Sequence, residues 1–260
     1  MRARFCLSPR RMMRAERSAL MLLFSRHVSH RVADQLWERR EEFLDGGRPR
    51  PQRLTATVMF VDIRGFTSTA EKLDPERLME WLNAFMGAMA DEAERHGGFV
   101  DDYFGDGLKV NFGVPVPRRS EEEICADCEA AVRCALSMGR RLARVNASWR
   151  EQGLPTGAMR VGIATGTAVA GSLGSADRLK YTVVGDTVNT AARLESFDDS
   201  KHDYSQRLCR ILVAEETRIL VEDRFSIRDF GRVSLKGKAE PVQVFEVLGE
   251  PGEAREEVRT

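Results

Sequence analysis

Between residues 16 and 44 the apolar positions Leu20, Leu23, Phe24, Val28, Val32, Leu36 and Phe43 recur at near-helical spacing and stop at Asp45-Gly46-Gly47. The spacing predicts an amphipathic helix. A lone helix of this kind cannot bury its own stripe, so it is expected to pack on its own domain or on a partner. Arg48-Pro49-Arg50-Pro51 then reads as a linker, and beyond it the period changes. Residues 55–63 form a β-rich run. Residues 75–96 read as a long helix with Pro75 in its first turn and Gly97-Gly98 at its end. Residues 99–113 have the pattern of a hairpin turning near Gly105-Asp106. A second long helix over 120–149 opens with the capping box Ser120-x-x-Glu123. Two short strands, 159–165 and 167–172, are expected on either side of Gly166. A strand over 180–184, a helix over 187–197, strands over 210–213, 225–235 and 242–247, and a short helix over 215–221 complete the pattern. Hairpins mixed with long helices argue for an α+β fold, a mixed sheet flanked by helices. The expected organisation is a basic tail and helix over 1–50, one domain over 51–250 and a polar tail over 251–260.

Composition narrows the function classes. The 260-residue chain has 40 Lys and Arg against 40 Asp and Glu, so no global field points to nucleic acid or an anionic membrane. The imbalance is local: residues 1–17 are rich in arginine and hold a single acid, Glu16. No apolar run approaches the roughly 20 residues that cross a bilayer, and the run 19–24 is too short for a signal-peptide core. A cytoplasmic location is the expectation. Cys125 and Cys128 make a C-x-x-C pair, but it lies inside a helical pattern with no second ligand pair at zinc spacing. With Cys134 they read as small apolar residues on a helix face.

The candidate chemistry begins with two aspartates. Asp62 closes an apolar β-run and Asp106 sits in Phe104-Gly105-Asp106-Gly107, a Gly-flanked hairpin tip. Two readings are open: a pair of turn carboxylates, or a site for hard divalent cations, which take oxygen ligands and share them with substrate phosphates. In the segment from Tyr181 to Glu195, Asn189 and Arg193 stand at i and i+4, on one helix face. An amide beside a guanidinium suits an oxygen nucleophile and a phosphoryl group, since arginine grips phosphate bidentately; a surface pair is the alternative. Lys236 and Lys238 flank Gly237 and could hold a polyphosphate or stand in a solvated turn. Neither G-x-x-x-x-G-K-[ST] nor a strand-borne G-x-G-x-x-G is present, so a bound nucleotide would be held by metals and side chains.

Five stretches in order resemble the catalytic domain of the class III nucleotidyl cyclases: Phe60-Val61-Asp62-Ile63-Arg64-Gly65-Phe66-Thr67, Phe104-Gly105-Asp106, the run from Arg160 to Gly166, the segment from Tyr181 to Glu195, and Leu235-Lys236-Gly237-Lys238. The resemblance covers residues 54–248, and its Thr182 groups the chain with many bacterial adenylyl cyclases. It implies a ferredoxin-like, palm-type mixed sheet and conversion of a nucleoside triphosphate to a 3′,5′-cyclic monophosphate and pyrophosphate. It also implies a head-to-tail homodimer whose two sites lie at the interface. Carried over residue by residue, Asp62, Asp106 and the backbone carbonyl of Ile63 would bind two Mg²⁺ or Mn²⁺. Asn189 of the partner would orient the ribose and Arg193 would stabilise the transferring phosphoryl group. Lys236 would hold the terminal phosphates, with Lys238 the fallback. The helix over 16–44 would be the place for an upstream regulatory partner, and the Thr182 group includes bicarbonate-responsive enzymes.

Base selection is where the chain departs from the pattern. Adenine-selecting members usually carry lysine four residues before the hairpin aspartate, paired with Asp or Thr in the third stretch. Thr182 fits, but the lysine position is Asp102. An ionised carboxylate only accepts hydrogen bonds, which by itself favours guanine. If the hairpin turns about Gly105-Asp106, Asp102 faces Lys109, and an Asp102–Lys109 pair would return a cation near the base. ATP is therefore the expected substrate. The alternatives are a guanylyl cyclase and a catalytically silent cyclase-fold module that binds nucleotide or only dimerises. A diguanylate-cyclase hairpin would need a second acid that Phe104-Gly105-Asp106-Gly107-Leu108 lacks.

Overall fold

The computed structural model describes residues 50–252 except 176–177, 198–201 and 237–239, together with scattered positions between 34 and 49. Most of the helix expected over 16–44, the tail over 253–260 and Lys238 lie outside the described residues. Where that helix was expected to end, Leu44–Asp45 pairs with Arg48–Pro49 as a two-residue antiparallel bridge.

The domain is built on an eight-stranded sheet of β1 (Gln52–Arg64), β2 (Phe99–Phe104), β3 (Gly107–Phe112), β4 (Ala158–Ser175), β5 (Arg178–Val184), β6 (Cys209–Ala214), β7 (Ser226–Val233) and β8 (Val242–Gly249). Its order is β2-β3-β1-β4-β6-β8-β7, with β5 paired to the far half of β4. Among the described residues only β4 and β6 run parallel; the other pairs are antiparallel. The helices are α1 (Phe66–Ala70), α2 (Pro75–Arg95), α3 (Glu121–Glu151), α4 (Asp186–Glu195) and α5 (Glu215–Val221). This is the mixed, helix-flanked sheet the pattern predicts.

Two findings differ from the sequence reading. The expected pair of strands around Gly166 is one continuous 18-residue strand, β4, which pairs with β1 through Gly166 and carries on to meet β5. The short helix α1 follows directly from Gly65, whose φ of 77° is open to glycine at little cost.

Alternation along β1 explains how the sheet is covered. Met59, Val61 and Ile63 enter one core with Trp81, Phe85 and Met89 of α2 and Val132, Met138 and Trp149 of α3. Leu54, Ala56 and Val58 enter a second core with Ala191 and Leu194 of α4. Both faces are buried, so the strand reads as a nearly continuous apolar run. Asp62, even-numbered like Val58, therefore falls on the α4 face. The helix ends are capped as their sequences prescribe: Asp74 accepts from the Arg77 amide at 3.0 Å, and Ser120 from the Glu123 amide at 3.3 Å. Trp81 and Trp149 stack at 4.6 Å, and the Trp81 indole donates to the Pro155 carbonyl at 2.8 Å. Asn146 exchanges two hydrogen bonds with Gly157, at 2.7 and 2.8 Å, fixing the turn from α3 into β4. Cys128 and Cys134 are buried in α3 and Cys125 half-buried, as small apolar residues should be.

The helix α4 lies against β4 without a side chain between them. A Cβ on Gly162 would stand 2.2 Å from the Ala191 carbonyl oxygen and 2.3 Å from the Glu195 amide nitrogen. Only glycine permits that approach.

Candidate active site

The last residues of β1 and the turn between β2 and β3 bring Asp62 and Asp106 together. The β1–β3 ladder ends at Asp62↔Gly107, next to the two-residue turn in which Gly105 takes φ 57°. Partial burial pushes the Asp106 carboxyl up to about 6, and the neighbouring Asp62 charge adds to this. Ile63 follows Asp62 in β1, buried and beyond the end of the β3 ladder. Among the described residues no three His, Cys, Asp or Glu side chains gather into a complete metal cage. Two mutually repelling carboxylates, one near a strand end and one in the adjoining turn, are instead what Mg²⁺ or Mn²⁺ uses when a substrate supplies the remaining oxygens. The donor set fits the group.

Arg160 and Glu195 belong to this cluster and were not found from the sequence. Arg160 lies directly opposite Asp62 in the β1–β4 register and donates to its carboxylate. Its Nε is 3.3 Å from Glu195 Oε1, at the end of α4. Burial, followed by the Asp62 charge, pushes the Glu195 carboxyl up to about 7. The signal for Arg160 was present in the β1–β4 pairing, which spacing alone does not supply.

Asn189 and Arg193 sit on α4 with Asn189 exposed and Arg193 half-buried, while Ala191, Leu194 and Glu195 are buried. Among the described residues neither forms a hydrogen bond or ion pair with Asp62 or Asp106. One chain thus brings the two aspartates together and leaves the Asn/Arg pair outside their contacts. Lys236 is exposed in the turn after β7.

The region expected to read the base is rearranged. Asp102 and Lys109 are opposed across β2 and β3, as the turn position requires, but they are not the ion pair. A bulge between Val100 and Asp102 inserts Asp101 into the ladder, so two residues of β2 oppose one of β3. Lys109 Nζ lies 2.5 Å from the fully buried Asp101 carboxylate and donates to the Val183 carbonyl at 2.6 Å. Asp102 is half exposed and pairs with Lys180 at 2.6 Å; Lys180 also stands 3.4 Å from Asp101. Thr182 is buried beside Lys109, its Oγ1 3.4 Å from Nζ. The cation expected near Thr182 is therefore present, held by Asp101 and not by Asp102.

Comparison with known proteins places this geometry. A family model described as the adenylate and guanylate cyclase catalytic domain matches residues 50–248. Adenylate cyclase 1 of Rhizobium meliloti is 34% identical over 205 residues, which is 78% of this chain and 29% of that protein. The adenylate cyclase of Anabaena cylindrica is 30% identical over 231 residues, 86% of this chain and 42% of that protein. The chain thus spans less than half the length of these curated relatives. Among solved structures, the adenylyl cyclase CyaB from P. aeruginosa superposes with a TM-score of 0.70 at 34% identity, over 78% of this chain and 98% of that one. The guanylyl cyclase Cya2 does so with a TM-score of 0.66 at 35% identity, over 78% and 95%.

Proposed function

Since the chain belongs to the adenylate and guanylate cyclase catalytic-domain family, we propose that it converts ATP to 3′,5′-cyclic AMP and pyrophosphate at sites shared between two copies arranged head to tail. The observation that carries this reading is the division of the machinery. Asp62 and Asp106 meet on one chain, while Asn189 and Arg193 of that chain make no hydrogen bond or ion pair with them. Exposed apolar side chains adjoin both halves: Tyr103 and Phe104 beside Asp106, Val184 just before α4. Such side chains next to polar chemistry are consistent with a surface that a partner covers.

Asp62, Asp106 and the Ile63 carbonyl would hold two Mg²⁺ or Mn²⁺. Held there, they would supply Lewis-acid chemistry, making the ribose 3′-hydroxyl more acidic and neutralising the β- and γ-phosphates. The other parts are side-chain work. The partner's half-site brings Asn189 to the ribose, fixing its 3′-oxygen in line with the α-phosphorus. Arg193 spreads its planar donors over the phosphoryl oxygens, where charge builds as the bond to the bridging oxygen breaks. Lys236, with Lys238 as the fallback, meets the departing pyrophosphate. Thr182 faces the base with Lys109 behind it; Asp102, neutralised by Lys180, is no longer a bare acceptor favouring guanine.

The test is cyclic-nucleotide formation from ATP and from GTP with Mn²⁺. Cyclic AMP as the main product is the expected result. Cyclic GMP as the main product would overturn the base assignment, and neither product from a dimeric sample would favour a silent nucleotide-binding module.

A pH effect follows from the aspartates. A proton on Asp106 must leave before a cation binds, so Mn²⁺ affinity should be flat above the carboxyl's value of about 6 and fall below it. The limiting slope is about tenfold per pH unit. Calorimetric titration of Mn²⁺ at several pH values measures it, and Asp106→Asn should flatten the profile at weaker affinity.

A further inference from the structure

The quartet Asp101, Asp102, Lys109 and Lys180 balances two carboxylates with two ammonium groups, and its most buried member touches Thr182. Asp101 Oδ2 is surrounded by donors: Lys109 Nζ at 2.5 Å, Thr182 Oγ1 at 2.8 Å, Asn111 Nδ2 at 2.9 Å and the Val183 amide at 3.3 Å. Burial by itself would raise this carboxyl, yet Lys109 and the Asn111 and Thr182 hydrogen bonds hold it below the usual range, so it is ionised. An ionised carboxylate has no proton to give.

The Thr182 hydroxyl has one proton, and its hydrogen bond to Asp101 uses it. Lys109, held on the same carboxylate oxygen, also directs an N–H at the hydroxyl oxygen, at 3.4 Å. What Thr182 has left to offer a ligand is a lone pair. We propose that Asp101, a residue no motif assigns, is the positioning residue for base choice: by taking the Thr182 proton it fixes that hydroxyl as a hydrogen-bond acceptor, which admits a 6-amino purine and rejects a 6-oxo purine.

The 6-amino group of adenine is a donor and the 6-oxygen of guanine or hypoxanthine an acceptor. A hydroxyl free to rotate would serve either; this one serves the first. Setting acceptor against acceptor in a buried site leaves both unpaired, which separates the bases by at least about tenfold. The inference rests on the reading of Thr182 as the base-facing residue.

The experiment measures equilibrium binding of ATP and inosine triphosphate to the full chain with Mn²⁺, by displacement of a fluorescent ATP analogue, with cyclic-nucleotide formation followed in parallel. Inosine triphosphate differs from ATP at the 6-position group and in the N1 proton that accompanies it. The native protein is expected to bind ATP at least about tenfold more tightly. In Asp101→Asn the amide can donate to Thr182, turn its proton outward and erase that preference. Because this change leaves Lys109 without a counter-charge, Asp101→Asn/Lys109→Met is made alongside to keep the buried site neutral. In a Thr182→Val background the preference should already be lost, and Asp101→Asn should change the ratio by less than about twofold. Equal binding of both nucleotides by the native protein, a preference kept in Thr182→Val, or an equal effect of Asp101→Asn in both backgrounds would each overturn the proposal. A native protein that prefers ATP but forms no cyclic product would overturn the cyclase reading and leave the hydroxyl assignment standing.

Discussion

Mixing two inactive variants, Asp62→Ala and Arg193→Ala, is expected to restore about a quarter of the native activity. Alone, each should retain no more than about a thousandth, because one loses a ligand for the cations and the other the cation facing the transferring phosphoryl group. The recovery follows from where one chain places its parts. Asp62 is tied into its own sheet, opposite Arg160, and the buried side of α4 meets that cluster through Glu195. Asn189 and Arg193 are on the same helix, but exposed or half-exposed. If two chains complete each other's sites, random re-pairing makes half the dimers mixed. Each mixed dimer then has one site with both native residues and one with neither. The variants are mixed after reversible dissociation, and cyclic-nucleotide formation is compared with the unmixed samples. No recovery, in mixtures shown to have exchanged subunits, would mean that one chain supplies both residues to one site.

The second large effect is expected at a residue with no side chain. Gly162→Ala places a methyl group 2.2 Å from the Ala191 oxygen and 2.3 Å from the Glu195 nitrogen. Both obstacles are backbone, so no rotamer change relieves them and α4 must lift. Overpacking costs about 1–3 kcal/mol where side chains can yield, and the upper end is expected here. For a domain of this size that lowers the melting temperature by roughly 6–12 °C, read by circular dichroism. The activity loss should exceed what stability explains. Misplacement of positioning groups by about 1 Å can cost about a hundredfold, and α4 carries both Asn189 and Arg193. A melting temperature lowered by less than about 2 °C would show that α4 relaxes freely.

Much of the fold was legible in the sequence because its signals are local. Asp74-Pro75 opens α2, Gly105-Asp106 turns the hairpin, and α5 spans the same residues the pattern predicts. The misreadings came where the deciding contacts are distant in sequence. Gly166 looked like a break, but pairing with β1 on one side carries the strand straight through. Arg160 gave no sign of its role until β4 was laid against Asp62. The expected Asp102–Lys109 pair had the correct opposition and the wrong partner, since hairpin counting cannot detect an extra residue in one strand. Asp62 and Asp106 were easier to find, being marked by the end of a strand and the tip of a turn.

That extra residue makes the length of β2 as informative as its letters. Excising Asp101 would heal the ladder and keep every motif of the chain intact. It would also leave two ammonium groups to share one half-exposed carboxylate, and Thr182 with its proton unclaimed. Placing lysine at position 102 would not reverse this, because the site's buried ammonium already enters from the opposite strand. A relative lacking the insertion could therefore match this chain at every catalytic letter and still present a different hydrogen-bonding face to its substrate.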